Sequence, residues 1–177
     1  SPKGLEELFA PLLSFFCKTL AYKVFFHEFE TKEPTLIYDD RSVAVTTIPL
    51  RHRIPCCGFL FEEKQRPNHI PNHRLTRPSA PARKYAYCSD TIYRPEIVEQ
   101  IKGIDLLFHE ATFAQTEQVR ARETHHTTAA QAAQIALNAE VKQLVIGHFS
   151  ARYEDESVLL NQRLSSPKRF WQERICA

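Results

Sequence analysis

Methionine is absent from all 177 residues, glycine occurs only four times, and tryptophan once. So little glycine excludes collagen-like repeats and Gly-rich linkers. No window approaches about 18 consecutive apolar residues, which excludes a membrane-spanning helix. No basic-then-apolar leader opens the chain, so no secretory signal is predicted. Charge of one sign is lacking too, with 23 Lys/Arg against 21 Asp/Glu for a net charge of +2. The five cysteines form no CxxC, and Cys56 and Cys57 are adjacent. That pattern predicts reduced thiols and a cytoplasmic location rather than a disulfide framework. A chain that opens at Ser1 without methionine anywhere is expected to be a processed or partial product. What is present is ordinary for a globular protein, with 43% hydrophobic and 25% charged residues. The length predicts one domain over residues 1–177.

Apolar spacing at Leu5, Leu8, Phe9, Leu12, Leu13 and Phe16 predicts a helix over residues 2–15, with Glu6 and Glu7 at its positive end. Four β-branched or aromatic runs predict strands at Tyr22–Phe29, Thr35–Tyr38, Ser42–Ile48 and Gly58–Phe61, antiparallel in character. The stretch from Lys64 to Arg83 holds four prolines and four arginines without apolar periodicity, and reads as an irregular arm. The second half alternates. Strands are predicted at Lys84–Cys88, Ile104–Phe108 and Leu144–Gly147, with helices at Pro95–Ile101 and Thr128–Asn138. Strand, helix, strand, helix, strand implies parallel pairing through right-handed crossovers.

That topology places chemistry. Ligands of open α/β sheets bind at the carboxyl ends of the strands. Asp90 follows one predicted strand, His109 and Glu110 follow the next, and His148 follows the last, while His126 precedes the long helix. Asp90, Glu110, His126 and His148 are therefore expected on one rim, within reach of His52 after the strand Ser42–Ile48. Imidazoles with carboxylates are a metal-site composition suited to Zn2+, with Mn2+ or iron as alternatives. His125 is expected to be the solvated half of the His-His pair, and His27, His69 and His73 to be structural. Charge is also uneven along the chain. From Arg51 to Lys84 eight Lys/Arg face two acids, a block of +6 against −4 for the remainder. Such a block suits a polyanionic partner.

Five segments carry a family resemblance: PLRHRIPCCGFLFEEK, YCSDT, LLFHEATF, HHTTAAQAAQIAL and LVIGHFSARY. In this order they resemble the C-terminal half of ribonuclease Z, the tRNA 3′-processing endonuclease family of the metallo-β-lactamase superfamily. The resemblance runs from about Ser1 to Gln162. It implies an α/β fold, a metallo-β-lactamase-like αββα sandwich of which this chain represents the C-terminal portion. It implies two Zn2+ per subunit, precursor tRNA as substrate and a homodimer whose arms serve the partner's site. By position, it implies that His52 and His148 are metal ligands and that Asp90 bridges both metals. Glu110, of the HEAT segment His109–Thr112, and His126 would form a catalytic pair near the scissile phosphate. Arg66, Arg74 and Arg77 of the arm, and Arg152 after His148, are expected to contact RNA phosphates.

The chain also departs from that family. The superfamily signature His-x-His-x-Asp-His, which supplies most ligands and the general base, does not occur in it. Three ligands are too few to close a two-metal site. The arm is shorter than the family's, with a join near Ile70–Pro71, and Arg163–Ala177 matches poorly. The chain is thus expected to be part of an intact enzyme. Two alternatives remain at this stage: another metallo-β-lactamase-fold phosphodiesterase, or a non-catalytic RNA-binding fragment.

Overall fold

A computed structural model describes residues 4–17, 19, 21–30, 32–65, 81–155 and 157–160. Its centre is a six-stranded sheet in simple sequence order: β1 (Leu36–Asp39), β2 (Val43–Pro49), β3 (Cys57–Glu63), β4 (Lys84–Cys88), β5 (Leu106–Glu110) and β6 (Leu144–Gly147). The β1–β2, β2–β3 and β3–β4 pairs are antiparallel, while β4–β5 and β5–β6 are parallel. Two successive reversals return the chain to one direction, so β2, β4, β5 and β6 all point the same way. Their carboxyl ends, at Pro49, Cys88, Glu110 and Gly147, share one edge of the sheet.

Local chemistry fixes the turns and caps. Asp40 follows β1, and its Oδ1 accepts from the Ser42 and Val43 N–H groups at 2.6 and 2.8 Å, closing the β1–β2 turn. Between β3 and β4 only glycine fits at position 58, because a Cβ there would stand 2.4 Å from the Tyr87 carbonyl oxygen. Helix α3 (Ala129–Asn138) starts with a capping box: Thr128 Oγ1 accepts from Gln131 N, and the Gln131 side chain accepts from Thr128 N.

One face of the sheet packs into the core. Ile48, Leu60, Ala86, Cys88, Leu107 and Leu144 meet Ile97, Ile101, Ile104, Val141 and the Ala133, Ile135 and Ala136 side of α3. The other face carries an aromatic stripe, in which Phe61 stacks on Tyr85 at 5.7 Å and Tyr87 on Phe108 at 4.8 Å between ring centroids. Tyr87 remains exposed on this face. An apolar face of that kind is what a second sheet covers in a sandwich.

Several expectations needed correction. Residues 22–29 form no strand, because β1 is the outer strand there and the segment does not pair with it. Instead Phe25, Phe26 and Phe29 line a groove of about 800 Å³ with Ile37, Cys57 and Phe59. The amino-terminal helix α1 begins at Leu5 rather than residue 2 and runs to Phe16, with Pro11 inside it and no buried residue. The predicted strand Ile104–Phe108 lies two residues later, because Ile104 is spent on the core and Asp105 N bonds the Lys84 carbonyl to start the β4–β5 ladder. The predicted helix Pro95–Ile101 is a single 3₁₀ turn, Pro95–Ile97. A short helix α2 (Gln118–Thr124) was not expected, since it is polar and buries only Ala121. A last turn, α4, spans Ser157–Leu160. The expected arm residues Arg66, Arg74 and Arg77, with His69, His73 and the Arg163–Ala177 tail, lie outside the described residues.

Candidate active site

The shared strand edge gathers the expected residues. His148 is the first residue after β6, Asp90 the second after β4, and Glu110 the last of β5. Glu110 lies inside its strand rather than after it, which buries it completely. His126 arrives from the short connection between α2 and α3. His52 follows β2 and reaches across, with its ring 4.9 Å from that of His126. The His126 and His148 rings lie 5.3 Å apart, and His148 Nε2 is 3.2 Å from Asp90 Oδ1.

The backbone is strained where these side chains emerge. Asp90, His125 and His148 hold φ of 56°, 62° and 60°, in the left-handed region that non-glycine residues avoid. Each such residue costs on the order of 1–3 kcal/mol. Asp90 and His148 use the turn to face each other. His125 uses it to end α2 and to present its carbonyl oxygen, which accepts from His52 Nδ1 at 3.0 Å. His125, expected to be the solvated half of its pair, is half-buried, with its Nδ1 out of contact with water.

Glu110 is the electrostatic centre. Its Oε1 accepts from Thr91 N at 2.5 Å, and its Oε2 from Thr127 N at 3.1 Å and Thr112 Oγ1 at 2.6 Å. His126 Nδ1 lies 3.0 and 3.1 Å from the two oxygens. Burial pushes the carboxyl up, but the hydrogen bonds from His126, Thr112 and Thr127 outweigh it and hold Glu110 below the usual carboxylate range. The same hydrogen bond to Glu110 raises His126 above an ordinary imidazole, against its partial burial, and the Asp90 charge adds to it. His109, one residue before, is fully buried and bonds the Glu110 carbonyl at 2.8 Å. Burial lowers its basicity.

The donor set fits a divalent ion. His52 Nδ1 donates to a carbonyl and His126 Nδ1 to a carboxylate, which leaves Nε2 of each ring for other work. Donor atoms of His52, Asp90 and His126 lie within 4.8 Å of one another, as do those of Glu110, His126 and His148. In the second group Glu110 bonds His126 directly, while His148 bonds Thr112 Oγ1 and lies against Asp90. The first, joined by His148 at Asp90, is the part with free donors.

Arg152 does not reach toward the rim alone. Its Nη1 lies 3.7 Å from Glu117 Oε1, and the Tyr153 hydroxyl donates to the other Glu117 oxygen. Sequence reasoning gave no role to Thr91 and Thr112, and offered Thr127 only as an alternative to Thr128 for the cap of the long helix, a place that Thr128 takes. Their blocks were singled out, but a threonine carries no signal of its own until its partners are placed. Thr91 joins three loops: its Oγ1 accepts from Arg51 N, its N–H reaches Glu110, and its carbonyl accepts from Thr127 Oγ1 at 2.6 Å.

Comparison with known proteins agrees with this geometry. The chain is 82% identical to a ribonuclease Z of Bacteroides thetaiotaomicron, over 92% of this chain and 61% of that protein. It is 42% identical to a ribonuclease Z of Porphyromonas gingivalis strain W83, over 93% of this chain and 64% of that protein. It thus spans under two thirds of the length of these curated relatives. Among solved structures, human tRNase Z, short form, matches with a TM-score of 0.66 and 26% identity, over 85% of this chain and 59% of that one. Residues 5–149, which include every element that positions the rim, match the family described as Beta-lactamase superfamily domain. With its mixed sheet and the rim of imidazoles and carboxylates at the strand ends, the chain belongs to the beta-lactamase superfamily and has the metallo-β-lactamase fold.

Proposed function

We propose that the whole protein, of which this chain is a portion, is an endoribonuclease that removes 3′ trailers from precursor tRNA. The observation that carries this reading is the Glu110–His126 pair beside Asp90, His52 and His148. His52, Asp90 and His148 would hold divalent metal, with Zn2+ the ion that imidazole and carboxylate favour and Mn2+ the alternative. A metal held there would supply Lewis acidity and neutralise charge on the phosphate.

The chain's own residues then handle the proton. Glu110 fixes the His126 ring through Nδ1 and keeps it basic enough to carry a second proton on Nε2. As the P–O3′ bond breaks and a water oxygen bonds to phosphorus, His126 Nε2 gives that proton to the ribose 3′ oxygen. The products are a 3′-hydroxyl on the tRNA and a 5′-phosphate on the trailer. Asp90 orients His148 at the rim, and the buried threonines hold Glu110 where water cannot reach it. Arg66, Arg74 and Arg77 would bind the tRNA backbone, and Arg152 would do so on leaving Glu117. A cytoplasmic homodimer is the assembly this reading expects.

The relatives' names support the substrate, and the rim supports the chemistry. The test is incubation of the full-length protein with a tRNA transcript bearing a 3′ trailer, followed by analysis of the new ends. A single cut leaving a 3′-hydroxyl supports the proposal. A 2′,3′-cyclic phosphate, or no cut in the presence of Zn2+ and Mn2+, overturns it.

A further inference from the structure

Thr112 stands among three groups of the site. Its Oγ1 lies 2.6 Å from Glu110 Oε2, 3.0 Å from His148 Nδ1 and 3.4 Å from His126 Nδ1. A hydroxyl has one proton to give and two lone pairs to receive with. The Glu110 carboxylate accepts two backbone N–H groups, which can only donate, so it is also the acceptor for Thr112. The Thr112 proton is thereby committed. The His126 contact is the longest of the three, and that ring's Nδ1 proton already goes to Glu110. What remains is His148. A hydroxyl oxygen whose proton is spent can only accept, so His148 must carry its proton on Nδ1.

We propose that Thr112 is a positioning residue that sets the tautomer of His148, leaving the Nε2 lone pair free toward Asp90 for metal. The proposal rests on the metal-site reading of the same rim. Without the hydroxyl the competing tautomer wins. His148 Nε2 is 3.2 Å from Asp90 Oδ1, so a proton on Nε2 would form an ionic hydrogen bond and occupy the lone pair that a metal needs. Thr112 thus transmits the orientation of Glu110 to His148, linking the acid pair to a ligand. His148 lies in the left-handed region immediately after β6, so its ring is already aimed by the backbone. The hydroxyl needs only to decide where the proton sits.

The test uses full-length protein freed of metal, with long-range proton–nitrogen spectra of the histidine rings and, separately, Zn2+ affinity by competition with a chromophoric chelator. The wild type is expected to show His148 protonated on Nδ1, and Thr112→Val to show it on Nε2. Thr112→Val is expected to bind Zn2+ about 10- to 100-fold more weakly, and Thr112→Ser to restore both readouts. An Nε2 proton on His148 in the wild type overturns the proposal, and that measurement needs no folded variant. So does Thr112→Val with unchanged affinity and tautomer. Neither readout involves RNA, so failure here is distinguishable from failure of the nuclease reading. If no histidine of the rim binds Zn2+ in any form, it is the metal-site reading that falls.

Discussion

Replacing Glu110 with glutamine keeps the shape of the side chain and removes its charge. The consequence can be worked from its partners. Oε1 faces the Thr91 N–H, and Oε2 faces the Thr127 N–H and the Thr112 hydroxyl. A glutamine amide must turn its NH2 toward one side or the other. Thr112 can reverse and accept, but a backbone N–H cannot. One buried backbone donor is therefore orphaned in either orientation, at a cost of about 1–3 kcal/mol. The bond to His126 also loses its charge assistance, worth a further 1–2 kcal/mol or so. The total, about 2–5 kcal/mol, is a large fraction of a typical domain's stability. Chemical denaturation of metal-free Glu110→Gln at several pH values measures it. Glu110 sits below its ordinary value of 4.5, so its contribution is present above that pH and fades as pH falls through the lowered value. His126 sits above 6.5, so its contribution is present below that pH and fades as pH rises through the raised value. Both are fully present between about pH 4.5 and 6.5, and the loss should be greatest there. A variant within 0.5 kcal/mol or so of wild type in that window would refute the account of Glu110 as an ionised, fully satisfied centre.

Other substitutions separate the roles. Asp90→Ala should lose metal and RNA cleavage together, as measured by metal analysis and trailer removal. Gly58→Ala should destabilise by about 1–3 kcal/mol in denaturation, because its Cβ meets the Tyr87 carbonyl rather than a movable side chain. RNA binding should weaken steeply with salt, and neutralising Arg66, Arg74 and Arg77 together should flatten the slope of log affinity against log salt. An unchanged slope would remove the arm from the RNA contact.

The sequence shows the parallel half of the sheet well. Lys84–Cys88 and Leu144–Gly147 were bounded as observed, because short apolar runs between turn residues have few other fates. From them followed the convergence of Asp90, Glu110, His126 and His148. The front of the chain misled where composition spoke without a partner: residues 22–29 have β-type composition, but a strand exists only where a neighbour pairs with it. The shift of β5 to Leu106–Glu110 mattered most, since it moved Glu110 from a turn into full burial. What stayed invisible is relational. No property of Thr112 alone shows that its proton goes to Glu110, and nothing in His125 shows that its carbonyl orients His52.

The central claim is that the Glu110–His126 pair does the proton work while His52, Asp90 and His148 hold metal. His126→Ala in the full-length protein, assayed for bound metal and for single-turnover trailer cleavage, tests it most directly. The account predicts wild-type metal content with cleavage slowed about 10²–10⁴-fold. Loss of metal together with activity, or cleavage at the wild-type rate, would contradict it.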